Sequence, residues 1–439
     1  MPRHDRWDPR NHEERTSTTS TTDSSSLPDD DSLVIRNYTG NFPLFFESEI
    51  KVDKLLGTGS FCMAWTIRQI ELRHGRRLPH QDRRQRLARR VNAAAAKKPD
   101  PRLAIHGKNA TEMKAAEDPA TAAPRCVIKR LRTDVYAHFE DLSRAQQDLK
   151  AELEILLRVG TGDHPNIIEL YGLGTGAPEP PDENNDEDET EEKEVSEPSL
   201  SFQPTFLIIS RIRTTLDNLI RKWRDQRGIG FYEALAANGT QTRQLWLERM
   251  LLLARLADAV RYLHSQRILF RDLKPENVGL DDNDVVKLFD FGLGKQMPEQ
   301  DGDENCDHNQ TFRLTGETGT PRYMAPEVML CKPYGYKVDV YSLGILIHEV
   351  LSLKTPFTNV PSGEFRTLVM EFGVRPEVDA TWPHRLQVLI QQMWDPDQTV
   401  RPTAETVVAT FSELLRGSDE ELFPTSSFSM ASMSRWFKK

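Results

Sequence analysis

Cysteines are few in this chain of 439 residues, and none of them is spaced for metal or redox chemistry. The four are Cys62, Cys126, Cys306 and Cys331, and no two of them form a C-x-x-C pair. This spacing argues against zinc ribbons and thioredoxin-like redox sites. Scattered thiols in a chain this long are typical of a reducing compartment, so we expect a cytoplasmic protein, with the nucleus as a second location.

Long apolar runs are also missing. No stretch approaches the roughly 18 consecutive apolar residues that a membrane-spanning helix needs. The first residues, Met1 to Asp5, are polar apart from Met1 and Pro2 and are not followed by the apolar segment of a secretory signal. We therefore expect neither a membrane span nor export.

Basic charge is not in excess: 57 Lys and Arg face 67 Asp and Glu, for a net charge of −10. A protein whose main partner is a nucleic acid usually carries a basic face, so we expect no nucleic-acid partner. The charge is nevertheless uneven. The basic run at 83–98 could serve as a docking or nucleic-acid patch, but it has no interleaved aromatic residues, and a solvated insertion is the favoured interpretation.

Composition divides the chain into segments. Residues 1–45 are rich in Ser, Thr, Asp and Arg and cannot bury enough apolar surface to order themselves, which predicts a disordered tail. The almost wholly acidic and Pro-rich block 179–197 repels itself and predicts a disordered loop. We predict the following units: a tail at 1–45, a first lobe at 46–212 with a basic insertion at 72–123 and an acidic insertion at 179–197, a second lobe at 213–416, and a tail at 417–439.

The pattern of apolar residues predicts strands first and helices later. Predicted strands are two around a glycine turn between Ile50 and Ile70, then Cys126–Leu131, Ile167–Tyr171 and Phe206–Ser210. Predicted helices are Phe139–Val159, a long one from Leu245, Tyr341–Leu353, Leu386–Met393 and Ala404–Leu415. This order favours an α+β fold of two lobes with a cleft between them. Asp82–Ala96 also favours helix, but it lacks an apolar stripe, so we expect it to lie outside the core.

Two features of the first lobe suit phosphate binding. The glycines of Gly57-Thr58-Gly59-Ser60-Phe61-Cys62 would let the backbone approach phosphate oxygens, although hairpins also use such turns for structural reasons. Lys129 sits in an apolar strand, where burial is costly without a partner. Glu152 on the next helix is the expected partner, with Glu154 as the alternative, and a purely structural ion pair remains an equal interpretation.

The second lobe carries a denser set of functional residues, Phe270-Arg271-Asp272-Leu273-Lys274-Pro275-Glu276-Asn277. From one loop, an Asp can accept a hydroxyl proton, a Lys can neutralise a phosphate and an Asn oxygen can bind Mg²⁺. Asp290-Phe291-Gly292 follows a short apolar run and offers a second oxygen ligand.

These motifs resemble those of the eukaryotic protein kinase superfamily, over about residues 46 to 416 apart from the insertions. The resemblance also includes the residues from Gly319 to Glu327, Asp339 at the start of a buried helix, and Arg401, which would pair with Glu327. It implies a bilobal kinase fold, Mg²⁺ and ATP as cofactors, and proteins as substrates. The segment from Leu269 to Lys295 looks closest to the tyrosine-kinase-like group of Ser/Thr kinases.

The resemblance assigns roles residue by residue. Asp272 would be the catalytic base, assisted by Lys274, and Lys274 points to serine or threonine as acceptor. Lys129, paired with Glu152, would hold phosphate oxygens, and Asn277 and Asp290 would bind Mg²⁺. The nucleotide would contact Gly57, Thr58, Gly59, Ser60, Phe61, Ala64, Val127, Lys129, Ile209, Ser210, Ile212, Asn277 and Asp290.

The chain departs from the family at positions near the nucleotide. Phe270 stands where the family usually has His and cannot donate a hydrogen bond, so we expect reduced rigidity but retained chemistry. Cys62 replaces a glycine, and Ala64 and Val127 exchange the usual Val and Ala, which conserves volume. Gly279 replaces a larger residue below the adenine and leaves a gap unless a neighbour fills it. The alternative function is therefore a pseudokinase that acts as a scaffold. The sequence gives no indication of an oligomeric state.

Overall fold

The computed structural model describes residues 42–59, 61–72, 80–96, 126–132, 134–135, 139–175, 204–234, 240–298, 309–418 and 422–424. The acidic insertion 179–197 and nearly all of both tails lie outside these residues, so their predicted disorder and the proposed unit boundaries stay predictions. Ser60, which was assigned to the nucleotide site, and Cys306 also lie outside the described residues.

The first lobe is built on a six-stranded sheet with the order β1-β5-β6-β4-β3-β2. Its strands are β1 (Leu44–Phe46), β2 (Ile50–Thr58), β3 (Cys62–Ile70), β4 (Cys126–Leu131), β5 (Leu170–Thr175) and β6 (Phe206–Ser210). The predicted strand at Ile167–Tyr171 is shifted, since Ile167 forms only an isolated bridge to Leu288. β6 is buried along its whole length, which explains its uninterrupted apolar sequence.

The predicted helix at Phe139–Val159 is present as α2, and it covers one face of this sheet. Its residues Leu149, Leu153 and Leu156 lie on one side at helical spacing and are buried. They belong to the same apolar cluster as Val127 and Ile209. Glu152 lies beside these leucines, so the packing of α2 carries its carboxylate toward the sheet.

The opposite face of the sheet is covered by helix α1 (Gln81–Ala96), and our expectation that this segment lies outside the core is wrong. Leu87, Ala88 and Val91 are buried in a cluster with strand residues such as Ile128. Besides these three apolar residues, Arg84 on the same side of the helix is buried and forms an ion pair with Glu49. A buried charge is tolerated only with such a partner.

Further contacts fix the position of α1. The Asn92 side chain accepts a hydrogen bond from the Ile70 amide at 2.9 Å and donates one to the Ile70 carbonyl at 3.0 Å. The Arg84 guanidinium lies over the Phe45 ring, 5.2 Å from its centroid. The helix therefore spans the sheet from β1 to the end of β3.

The second lobe is mostly helical. Its helices are α3 (Leu216–Ala234), α4 (Thr240–Ser265), α5 (Pro326–Met329), α6 (Lys337–Ser352), α7 (His384–Met393) and α8 (Ala404–Arg416). Short strands β7 (Thr214–Thr215), β9 (Val278–Leu280) and β10 (Val286–Leu288) form one small sheet, and β8 (Ile268–Leu269) pairs with β11 (Lys295–Gln296). Helix α3 was not predicted, because its many charged residues conceal a short apolar stripe of Leu216, Ile220 and Trp223.

The α+β fold with a strand-rich first lobe and a helical second lobe is confirmed. Helix α6 is buried over almost its entire length and forms the centre of the second lobe. The predicted pair of Arg401 and Glu327 is also present, with both guanidinium nitrogens on the carboxylate at 2.6 and 2.9 Å. None of the helices in the described ranges is long and apolar enough to cross a bilayer.

The buried ion pair between Arg84 and Glu49 yields a first prediction. Arg84→Ala should lower the free energy of unfolding by about 3 kcal/mol, because the Glu49 carboxylate would remain buried without its cation. Chemical denaturation measures the change, and Arg86→Ala on the exposed side of α1 is the matched control. An equal, small effect of both substitutions would contradict the structural importance of this pair.

Candidate active site

Neighbouring strands place the first-lobe residues in one row. Gly57 on β2 pairs with Ala64 on β3, which pairs with Lys129 on β4. Residues opposite one another in a sheet share a face, and so do residues two apart along a strand. Lys129 and Ala64 therefore face the side of the sheet that α2 covers, together with Val127 and Ile209, which pair with each other.

Lys129 is held between two carboxylates. Its Nζ atom lies 2.6 Å from Oε2 of Glu152 and 2.9 Å from Oδ1 of Asp290. The alternative partner, Glu154, instead faces Lys150 on its own helix at 3.8 Å. The three residues come from β4, from α2 and from the segment after β10, so the ammonium group joins both lobes.

The electrostatics of this triad favour charged Lys129. Burial opposes the ammonium charge, but Asp290 and Glu152 outweigh burial and raise the pKa of Lys129. The nearby Lys129 charge lowers the pKa of Asp290. Burial raises the pKa of Glu152, because the Lys129 charge only partly offsets the loss of water.

A second cluster lies in the loop after β8. Asp272 is buried, and its Oδ2 atom lies 2.7 Å from Nζ of Lys274. Asn277 donates through Nδ2 to the Asp272 carbonyl at 2.9 Å and to Oδ2 at 3.0 Å. The Thr320 hydroxyl donates to Asp272 Oδ1 at 2.7 Å and accepts from Lys274 at 3.0 Å. The structure thus brings Asp272, Lys274 and Asn277 together, as the sequence predicted.

Asp339 at the start of α6 anchors this loop through hydrogen bonds to its backbone. Its carboxylate accepts hydrogen bonds from the Phe270 amide at 2.9 Å and the Arg271 amide at 2.8 Å. His264, a contact that the sequence analysis missed, lies 2.9 Å from the same carboxylate. Because these bonds use backbone amides, the loop is anchored without a polar side chain at position 270.

Two of the nine non-glycine residues with left-handed φ angles in the described ranges lie at these two clusters. Arg271 and Asp290 have left-handed φ angles of 67° and 68°, which non-glycine residues rarely adopt. Such conformations persist where surrounding contacts impose them, and they concentrate at functional sites.

The buried Phe270 ring packs edge-on against the Phe291 ring, with ring centroids 5.2 Å apart. The expected loss of rigidity at this position stays a prediction.

The glycine turn has no structural need for its glycines. Neither Gly57 nor Gly59 has a positive φ, and a Cβ atom at Gly57 would meet nothing within 4 Å. At Gly59 the added atom would make only an ordinary contact of 3.5 Å with the Cys62 carbonyl oxygen. The purely structural interpretation is therefore weakened, and a backbone kept open for close approach by a ligand is favoured. Thr58 lies between the two glycines, and Phe61 follows them in the same turn.

The gap expected at Gly279 is filled. A Cβ atom at this position would clash with Cγ2 of Ile212 and would lie 2.7 Å from the Thr214 carbonyl oxygen. The ring of Phe289, which the sequence analysis missed although it directly precedes Asp290, would lie 3.3 Å away. Ile212 and Phe289 therefore occupy the space that a larger side chain takes elsewhere in the family.

Two ion pairs hold the segment that carries Ile212. Arg211 binds Asp282 and Arg213 binds Asp284, both in the turn between β9 and β10. The alternation of two arginines around one apolar residue is visible in the sequence, but their partners are about 70 residues away. Ser210, before this segment, accepts a hydrogen bond from the Glu169 amide at 3.2 Å.

Asn277 and Asp290 fit a magnesium site that is completed by phosphate and water. Asp290 is half exposed toward the cleft. Asn277 donates through its nitrogen, so its amide oxygen faces away from these bonds. Within the described ranges no group of three or more His, Cys, Asp and Glu could hold a metal. Mg²⁺ is commonly bound through one or two protein oxygens plus substrate phosphates, so this small ligand set is appropriate.

Comparison with known proteins shows similarity to protein kinases. Residues 233–411 match the family model described as protein kinase domain. Serine/threonine-protein kinase STY46 of Arabidopsis thaliana is 34% identical over 166 residues, which are 38% of this chain and 27% of that protein. Serine/threonine/tyrosine-protein kinase HT1 of the same plant is 32% identical over 196 residues, 44% of this chain and 46% of that protein.

A third relative comes from an amoeba. Dual specificity protein kinase shkB of Dictyostelium discoideum is 36% identical over 159 residues, 36% of this chain and 23% of that protein. Over the matched residues, the chain is similar to eukaryotic protein kinases. It spans only about a quarter of the length of several of these relatives, 27% for STY46 and 23% for shkB, so they contain much that this chain does not match.

Gly279 yields the second prediction. Gly279→Ala should displace Ile212 and Thr214, lower the free energy of unfolding by about 1–3 kcal/mol and weaken ATP binding. Gly363→Ala is the matched control, because a Cβ atom there would meet nothing within 4 Å. Chemical denaturation and a nucleotide titration measure both effects. If the two alanine variants behave alike, the close packing at Gly279 does not shape the pocket.

The third prediction concerns thiol reactivity. Burial raises the pKa of the Cys62 thiol to about 12, and it does the same for Cys126. Only thiolates react rapidly with iodoacetamide, so at pH 7.5 Cys62 should be labelled at least about tenfold more slowly than the exposed Cys331. Labelling at Cys62 should accelerate as the pH rises toward 12. Mass spectrometry of single peptides measures the rates, and equal rates at Cys62 and Cys331 would contradict burial of this thiol.

Proposed function

We propose that this protein is an ATP-dependent protein serine/threonine kinase. The observation that supports this most directly is that the structure contains both the Lys129 cluster and the Asp272 cluster. Lys129 joins Glu152 and Asp290 across the lobes, and Asp272 is bound by Lys274, Asn277 and Thr320. Phosphoryl transfer requires positioning and charge stabilisation, and these clusters supply both.

Each residue has a task that its surroundings support. Asp272 would accept the proton of the attacking hydroxyl, since its carboxylate is fixed by four hydrogen bonds from three residues. Lys274 would stabilise negative charge on the transferred phosphoryl group, and Lys129 would position the remaining phosphates. Asn277 and Asp290 would hold Mg²⁺, which supplies charge neutralisation when bound.

Serine or threonine is the proposed acceptor. Lys274 lies two residues after Asp272, as in Ser/Thr kinases, and it contacts the Thr320 hydroxyl at 3.0 Å. Several of the matched relatives carry serine/threonine-protein kinase in their names. Placement in the tyrosine-kinase-like group, a cytoplasmic or nuclear location, and other proteins as substrates belong to this proposal.

A pseudokinase is the second candidate, because Phe270, Cys62 and Gly279 depart from the family. The observations at these positions favour retained activity. Asp339 anchors the loop through backbone amides next to Phe270, and Ile212 and Phe289 fill the space over Gly279. The side chains proposed to carry the chemistry are all present, and each contacts others within its own cluster.

The fourth prediction tests the activity. Wild type with labelled ATP and Mg²⁺ should produce phosphoserine or phosphothreonine on a generic protein substrate. Asp272→Asn should lower the rate by about 10²-fold or more, since the proton acceptor is lost, while ATP still binds. Lys129→Met should abolish transfer, and Lys51→Met, an exposed lysine on β2, is its matched control.

The outcomes distinguish the two candidates. Transfer by wild type and Lys51→Met, but not by the other variants, supports the kinase. Absence of transfer by the wild type and by every variant, with ATP binding retained, would support the pseudokinase scaffold instead. Equal rates for wild type and Asp272→Asn would refute the role of Asp272.

A further inference from the structure

The outer side of helix α1 has a concentrated positive charge. Arg83, Arg86, Arg89 and Arg90 are all exposed, and they recur at the three- and four-residue spacing that places side chains on adjoining parts of one helix surface. We call these four residues the arginine face. The buried side of the same helix is fixed to the sheet by Arg84, Leu87 and Val91, so the arginine face is rigidly presented.

Acidic residues are scarce within α1 itself. Asp82 is the one acidic residue within α1. Glu71, just after β3, is paired with Lys51 at 3.8 Å. Four like charges within eight residues repel one another, so the face gains stability when an acidic segment covers it.

An acidic segment of the same chain follows strand β5 in the sequence. The block 182–197 contains ten Asp and Glu residues and one lysine. It follows β5, whose Gly174 pairs with Phe45 on β1. The guanidinium of Arg84, in the first turns of α1, lies 5.2 Å from the centroid of that Phe45 ring. The end of β5 therefore lies near the first turns of α1.

The connecting length is sufficient. Asp182 is seven residues beyond Thr175, the last residue of β5, which allows up to about 25 Å of extended chain. Arg83 and Arg90 are separated by seven residues of helix, about 10 Å. A tethered segment has an effective concentration on the order of millimolar, so even a weak electrostatic contact would be substantially populated.

We propose that the acidic block 182–197 docks on the arginine face of α1 and joins the two insertions of the first lobe. The occupant is this segment, and an acidic partner protein is the competing outcome. Exposed ion pairs are individually weak, at about 0–1 kcal/mol each, so docking depends on several pairs at once and on low salt.

The test uses the full-length chain and a fluorescent peptide of residues 178–198. In one variant, residues 182–197 are replaced by a Gly-Ser segment of equal length. This variant should bind the peptide at low salt at least tenfold more tightly than wild type does, because the tethered segment occupies the site in wild type. Anisotropy titrations measure the affinities, and binding should weaken steeply as NaCl is added.

Two further variants locate the site. In the Gly-Ser background, replacing Arg86, Arg89 and Arg90 by Gln should abolish peptide binding. Replacing the exposed Arg221, Arg255 and Arg385 of the second lobe by Gln is the matched control and should leave binding unchanged. Thermal unfolding checks that each variant is folded. Charge reversal of Arg86, Arg89 and Arg90 to Glu should create binding to a peptide in which lysines replace the acidic residues.

Three results would overturn the proposal. Equal binding to wild type and to the Gly-Ser variant means that the face is open and has an outside partner. Equal loss of binding in the first-lobe and second-lobe arginine variants means that attraction is unspecific. Absence of binding to the Gly-Ser variant means that the block does not recognise the face. The measurement does not involve phosphoryl transfer, so these results are independent of the catalytic assay.

Discussion

The ammonium group of Lys129 is the contact on which the catalytic arrangement depends. It binds Glu152 from helix α2 and Asp290 from the segment after β10, at 2.6 and 2.9 Å. Removing the Lys129 ammonium would leave the Glu152 and Asp290 carboxylates close together without their shared cation. The position of α2, the sheet and the Asp290 loop are thereby linked in one arrangement. The same charges raise the pKa of Lys129 and lower that of Asp290, which keeps both groups ionised near neutral pH.

Alternation along the strands separates this chemistry from the helix on the other side. Val127 and Lys129 face α2, whereas Cys126 and Ile128 face α1. A sheet covered on both faces explains the apolar runs Phe206–Ile209 in β6 and Cys126–Ile128 at the start of β4. It also means that α1 supports the strand carrying Lys129 from behind. The helix that follows β3 is thus part of the structural support of the site.

The sequence predicted those features that depend on local spacing. Asp272, Lys274 and Asn277 lie within six residues, so their convergence followed from one loop, and the apolar periodicity of α2 placed Glu152 correctly. It failed where the deciding partner is distant. Burial of Arg84 requires Glu49, 35 residues earlier, and the filling of the space over Gly279 requires Ile212 and Phe289 from separate elements. Apolar content alone therefore placed α1 outside the core and left a gap at Gly279.

The departures from the family become coherent when they are considered together. Gly279 is close enough to Thr214 and Ile212 that any larger residue would displace the segment joining the lobes. That segment is in turn fixed by Arg211 and Arg213 on the β9–β10 turn. Because Gly279 has no side chain, the segment 211–214 can lie close to β9, and the two ion pairs hold it there. Lys129 and Asp290 keep their contact in one cluster, and Asp272 and Asn277 keep theirs in the other. The changes therefore affect the shape of the proposed nucleotide pocket and leave the groups proposed for phosphoryl transfer in place.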